Sequence, residues 1–326
     1  PHAIRLAHHF PIPALAEPST SLSLGTPLYG NFTDAVDQAD SRAQLLHPVA
    51  GVYARVGRLE QARRMFEEEL TGNLPVITRA NILSELGLVY RRLGQLKKSV
   101  RSYMSALPAF KESGRMVEAA NVYCGMGMAK EQGGDIEGAA VCFQDMRRLS
   151  RRLGNKHIRG KLLHCLGRLD AYRGARGTAL VRYAQAITLY KEVGRFADIN
   201  NILMDKALLL VGSSRSKMAA LLCAEARDSY SGLEDKPAFV AASANLGISL
   251  YYEGLLSEAE SAWENAKETL APLVSDSGDF VAISSPHFKA KDMWVNWLSM
   301  YDPIRQRQTL RQLARALETL RRLQST

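Results

Sequence analysis

Between residues 44 and 270, apolar side chains recur at steps of three and four, as at Val89, Tyr90, Leu93 and Leu96. That spacing places them on one face of a helix. Short polar stretches holding a glycine interrupt the apolar blocks, for example Glu112-Ser113-Gly114-Arg115 and Arg152-Leu153-Gly154-Asn155. Glycine reaches the left-handed conformation that ends a helix without steric cost. The pattern predicts a succession of helices joined by turns, an all-α chain.

The blocks repeat. Leu86-Gly87 is followed by Gly94, Tyr103 and Ala106; Met126-Gly127 by Gly134, Ala139 and Phe143. Leu166-Gly167 is followed by Gly174, Ala179, Tyr183 and Ala186, and Leu246-Gly247 by Gly254, Ala259, Trp263 and Ala266. Successive units stand 40 residues apart, and a weaker one around Ala207, with Ala219, Cys223 and Ala226, fills the interval between Gly167 and Gly247. An earlier unit, with Ala50, Tyr53, Gly57, Ala62 and Phe66, stands slightly closer, 37 residues before Gly87. The first small residue lets the two helices of a unit approach, and the second glycine turns the chain. The later alanine clears the helix crossing, and the aromatic fills the space between units.

Small, Gly, Ala, aromatic and Ala at these offsets resemble the tetratricopeptide repeat, whose usual period is about 34 residues. Placing the excess ahead of the first helix of each unit makes the chain similar to the longer-period repeats of Pins-type adaptors. The resemblance implies an α-solenoid, a right-handed superhelix of about six antiparallel hairpins over residues 33–275. Its first helices (A) would line a concave groove and its second helices (B) the outside. Pentatricopeptide repeats have a shorter period and lack the Gly–Ala–aromatic signature.

The ends depart from the repeat. Residues 1–32 carry Pro11, Pro13, Pro18 and Pro27 among Ser, Thr and Gly, and are expected to form an extended arm. Gly30, Ala35 and Ala39 mimic the second half of a repeat, so residues 33–42 are expected to be a capping helix. Residues 276–326 are expected to form a degenerate hairpin. Ser285-Pro286 starts one helix with Met293, Trp294, Trp297 and Leu298, and Asp302-Pro303 starts another. Leu310, Leu313, Leu317, Leu320 and Leu323 make an apolar stripe on the latter. A cap of this kind covers the exposed face of the last unit.

Composition narrows the function. Lys and Arg outnumber Asp and Glu 42 to 33 in a chain of 326 residues, which favours acidic partners. Cys124, Cys142, Cys165 and Cys223 form no C-x-x-C pair and fit reduced thiols. No apolar run approaches the ~20 residues of a membrane helix. The expected compartment is the cytoplasm, cytoskeleton included. Because the chain begins at Pro1 rather than Met, an organelle such as the mitochondrion stays open as an alternative. His8-His9 cannot share a helix face, and His164-Cys165 lacks the orienting partners of a nucleophile. No glycine run fits a phosphate loop. Neither enzymatic activity nor a cofactor or metal is expected.

In the repeat family, one face of helix A carries the binding residues. Transferred position by position, that face holds Asn81, Glu85, Arg91, Arg92, Asn121, Met128, Lys161, Arg168, Asn201, Asn245, Tyr251 and Tyr252. Asn81, Asn121 and Asn201 share one register, suited to holding a peptide by its amides. Lys161 interrupts this ladder and Ala241 ends it. The face starts basic and ends aromatic, which fits a protein or peptide segment with acidic residues and an apolar anchor. The expected function is a scaffold, an adaptor or a structural subunit of a larger assembly. Arg307, Arg311, Arg315 and Arg322 lie on one basic amphipathic helix, a second candidate surface. They support the alternative of an RNA-associated subunit.

Overall fold

In a computed structural model describing residues 47–54, 58–211, 214–233, 235–274, 295 and 303–324, every secondary-structure element is a helix. Residues 47–54 (α1) and Leu59–Glu69 (α2) form the first hairpin. Val76–Arg92 (α3) and Leu96–Glu112 (α4) form the second, and Met116–Gln132 (α5) and Ile136–Leu153 (α6) the third. Lys156–Tyr172 (α7) and Arg176–Glu192 (α8) follow, then Phe196–Leu210 (α9) and Ser216–Gly232 (α10). Lys236–Tyr252 (α11) and Leu256–Leu270 (α12) complete the repeats, a short 3-10 turn covers Ala271–Leu273, and Pro303–Gln324 is α13. The expected arm, the capping helix, Gly57 and the helix from Ser285-Pro286 lie outside the described residues.

Consecutive helices pack antiparallel in a row, an α-solenoid. Helices A begin at residues 76, 116, 156, 196 and 236, and helices B at 96, 136, 176, 216 and 256. The period is therefore 40 from the second hairpin on, the unit around Ala207 included, while helix B of the first hairpin begins 37 residues before that of the second. The extra length does not sit ahead of helix A, as the sequence suggested. The turn behind α3 and the turn behind α4 are the same tight motif: Gly94 and Gly114 take φ values of 72° and 71°. Their neighbours reach back, Gln95 N–H to Tyr90 O and Arg115 N–H to Phe110 O, both at 2.8 Å. That bond closes the helix end, so a unit longer than ~34 residues lengthens both helices, not one loop.

The first small residue and the aromatic are two halves of one contact. A Cβ on Gly87, Gly127, Gly167 or Gly247 would fall 2.4–2.9 Å from the ring of Tyr103, Phe143, Tyr183 or Trp263, sixteen positions later in the same unit. Tyr103 also lies against Gly125 of the next hairpin, so one ring fills the space within and between units. Where Ala207 replaces the glycine, Cys223 replaces the ring, and both are fully buried. Helices A of adjacent hairpins approach each other more closely than helices B do, so the row curves with helices A inside. No described helix is long and apolar enough to cross a membrane.

Helix α13 closes the far end. Leu310, Leu313, Ala316, Leu317 and Leu320 are buried in one core with α12, and Arg321 reaches Glu260 (2.8 Å) and Glu264 (2.6 Å) on α12. Arg307, Arg311, Arg315 and Arg322 are exposed, with Arg322 against Glu318 on its own helix. The helix starts at Pro303, and Leu310, Leu313, Leu317 and Leu320 of its apolar stripe lie in this core.

Candidate ligand-binding cavity on the inner wall

The constant period stacks equivalent positions of helices A into columns. Asn81, Asn121, Lys161, Asn201 and Ala241 form one, and Glu85, Gly125, Cys165, Asp205 and Asn245 another. Between α3 and α9 these columns enclose a cavity of about 570 Å³. Asn81, Glu85, Arg91, Arg92, Asn121, Met128, Lys161, Arg168 and Asn201 all line it. Asn245, Tyr251 and Tyr252 do not. Asn245 is fully buried and grips the backbone of Val295: its Nδ2 donates to Val295 O (2.8 Å), and Val295 N–H donates to its Oδ1 (2.7 Å). Tyr251 packs near Trp263, ring centroids 6.1 Å apart, and Tyr252 is exposed at the helix end. The expected aromatic end of the groove is thus absent from the cavity.

The asparagine column is partly engaged. Lys161 Nζ donates to Asn121 Oδ1 (2.9 Å), and Tyr230 Oη donates to Asn201 Oδ1 (2.6 Å). Each amide keeps its NH₂ donor for another partner. Arg92 donates to Ala54 O (2.8 Å) and so ties α3 to the first hairpin.

Two arginines on this wall differ in kind. Arg168 is 9% exposed and meets Glu131 at 2.9 Å and Asp205 at 3.8 Å, while Asp205 also meets His164 at 2.8 Å. Burial alone would loosen the proton of Arg168, but Glu131 and Asp205 hold it above the ordinary range. Arg91 is 6% exposed and faces no carboxylate within ion-pair distance; its Nη1 reaches Gln132 at 3.5 Å and its Nε has no partner. Burial, and then Arg92 and Arg168, push its proton affinity down. Burying a cation without a counter-charge is costly. The wall is not uniformly basic, since Glu85, Glu118 and Asp198 also line the cavity, yet none of them pairs with Arg91.

Sequence reasoning took Tyr103 for filler between units and did not single out Tyr190, yet both, on helices B, reach the cavity. Burial pushes the Tyr103 phenol up to about 12 and raises Tyr190 further, so both stay neutral hydroxyls. Cys124 and Cys165 line the floor. Among the described residues no cluster of His, Cys, Asp and Glu could hold a metal ion.

No protein-family model matches the sequence, and no curated protein matches it. Solved structures do share its fold. A Rap conjugation regulator of plasmid pLS20, in complex with the Phr* peptide, superposes with a TM-score of 0.65 at 13% identity, over 94% of this chain and 81% of the regulator. A Rap protein complexed with competence and sporulation factor gives 0.56 at 13% identity, over 89% and 81%. BtubC from P. vanneervenii gives 0.51 at 16% identity, over 75% and 98%. The chain has the tetratricopeptide-type repeat fold.

Proposed function

We propose that this tetratricopeptide-type solenoid is a non-enzymatic scaffold that holds a segment of a partner protein, or a peptide, in the cavity between α3 and α9. One observation carries the reading. Arg91 is a buried guanidinium that lines the cavity and has no carboxylate within ion-pair distance. A carboxylate supplied by the ligand completes a charge-assisted pair where water is largely excluded. The amides of Asn81, Asn121 and Asn201 stand alongside to take backbone or side-chain groups, and Leu88 and Met128 offer apolar surface to an anchor residue. The two Rap structures, each solved with a peptide or factor bound, support the assignment by fold alone.

Fluorescence anisotropy with a labelled peptide series tests this. The series carries one Leu or Phe anchor and varies a neighbouring Glu to Gln and to Lys. The Glu peptides should bind, the Gln and Lys peptides should lose about ten-fold or more, and Arg91→Gln should abolish the difference. Equal affinity across the series would overturn the acidic preference. The exposed row Arg307, Arg311, Arg315 and Arg322 on α13 supports a second reading, contact with RNA. Affinity for an RNA oligonucleotide that falls steeply with salt and depends on Arg311 and Arg315 would favour it.

A further inference from the structure

Two thiols that the binding reading does not use meet on the cavity floor. Cys124 on α5 and Cys165 on α7 lie 41 residues apart in sequence, and their Sγ atoms are 3.6 Å apart. Both are buried, at 8% and 3% exposed, and both line the cavity. Cys142 and Cys223 differ: they lie on helices B, buried and outside the cavity, and burial pushes both thiols up, Cys223 to about 12.

The surroundings of the pair are cationic. Lys161 and Arg168 face it from α7 and Arg91 from α3, while Met128 touches Cys124 at 3.9 Å along its own helix. The nearby phenols of Tyr103 and Tyr190, on α4 and α8, are raised and neutral, and Glu131 on α5 acts on Cys165 rather than on Cys124. The hydrogen bond between the two sulfurs, with Lys161, Arg91 and Arg168 behind it, outweighs burial and brings Cys124 down to about 7, while the same bond raises Cys165. A buried cysteine is ordinarily an inert small hydrophobe. This pair instead places an acidified thiol against a second thiol within a cavity.

We propose that Cys124 and Cys165 form a reversible thiol–disulfide site in the cavity floor, with Cys124 the attacking thiolate and Cys165 the resolving thiol. With a hydroperoxide as oxidant, the Cys124 sulfur attacks the outer oxygen and the O–O bond breaks. Two electrons pass from sulfur to oxygen, which leaves as an alcohol or water after protonation, and Cys124 becomes a sulfenic acid. Cys165 then gives up its proton and attacks that sulfur; the hydroxide displaced takes the proton and leaves as water. Two thiols and one hydroperoxide thus yield one disulfide, one alcohol and one water. A dithiol reductant reverses the link by exchange. The sulfurs need to close from 3.6 Å to about 2.0 Å. The bond ties the A helices of the third and fourth hairpins together and removes the anion that Arg91, Lys161 and Arg168 surround. The site stands independently of what the cavity binds.

Rates and peptide mapping test the proposal. At pH 7 about half of a thiol with pKa near 7 is ionised, against about one part in a hundred at 9. The lower nucleophilicity of the weaker base takes back about eight-fold, so Cys124 should be alkylated about six-fold faster than a comparably accessible thiol of pKa near 9. Cys142 and Cys223 should stay unlabelled in the native protein. Limiting hydrogen peroxide followed by non-reducing mass spectrometry should give a Cys124–Cys165 cross-linked peptide that dithiothreitol removes. Cys165→Ser should instead accumulate a dimedone adduct on Cys124, and Cys124→Ala, checked for folding by circular dichroism, should leave Cys165 unmodified. Lys161→Met should shift the midpoint of the alkylation pH profile upward, which a merely structural pair would not show. Labelling of Cys124 no faster than of Cys142, or oxidation that joins other cysteines or separate molecules, would overturn the assignment.

Discussion

Helices α7 and α11 occupy equivalent places in two hairpins built on one 40-residue template, and they meet opposite environments. Helix α7 carries Lys161, His164, Arg168 and Asp170 and faces an open cavity. Helix α11 has no charged residue after Lys236 and is buried from Ala241 to Ser249, between its neighbours and Val295. The column shared by Glu85, Gly125, Cys165, Asp205 and Asn245 shows what changes. At Cys165 it makes cavity floor, at Asp205 it pairs with Arg168 and His164, and at Asn245 it binds the chain's own backbone. The glycine–aromatic contact is the same in both, Gly167 with Tyr183 and Gly247 with Trp263. The repeat builds the row of helices, and the column residues decide whether a given face becomes wall or core.

The comparison can be broken at its strongest contacts first. Arg168→Met strands Glu131 and leaves Asp205 with His164 alone, and should cost about 3–5 kcal/mol in urea unfolding. A loss below about 1 kcal/mol would mean that water screens the pair, and that the wall of α7 is no core at all. Next comes Asn245→Ala, which leaves the N–H and C=O of Val295 without their partner. Two unsatisfied buried groups should cost about 2–5 kcal/mol; an unchanged midpoint would show that α11 does not depend on this seal.

Arg91→Gln sharpens the contrast between two arginines of one wall. Stability should change by less than about 1 kcal/mol, because the substitution removes a buried charge that has no counter-ion to strand. Binding of an acidic peptide should fall about ten-fold or more. A large loss of stability would place Arg91 with Arg168, as a structural cation. Asn121→Ala removes one bond to a half-buried lysine and should cost about 0.5–1.5 kcal/mol. Arg147→Ala on the exposed face of α6 serves as the control and should leave both stability and binding unchanged.

Much of the fold was legible because its signals are local. Gly94 and Gly114 each close a helix with bonds that span six residues, and Gly87 and Tyr103 meet across one hairpin of fixed length. Asp302-Pro303 marked the start of α13 for a similarly local reason, a proline at the first helical position. The place of the extra length was misread, because a polar stretch before helix A looks like loop when it is the lengthened end of helix B. The candidate wall was legible as a register, and nine of its twelve expected residues do line one cavity.

The sequence by itself determined the 40-residue period, the hairpin, the packing of ring on glycine and the face of helix A that turns inward, since each follows from sterics within one unit. Only the tertiary structure decided which inward groups are used up. Cys124 meets Cys165 and Arg91 meets Gln132 at a separation of 41, Arg168 meets Glu131 at 37, and Asn245 finds Val295 at 50. The first three separations are not the period. They are the period plus one or minus three, the neighbouring positions that two stacked helices bring together when side chains lean along their axes. Which of those neighbours touch depends on how one hairpin sits on the next, so a neutralised Arg168 and an unpaired Arg91 look alike until the helices are packed.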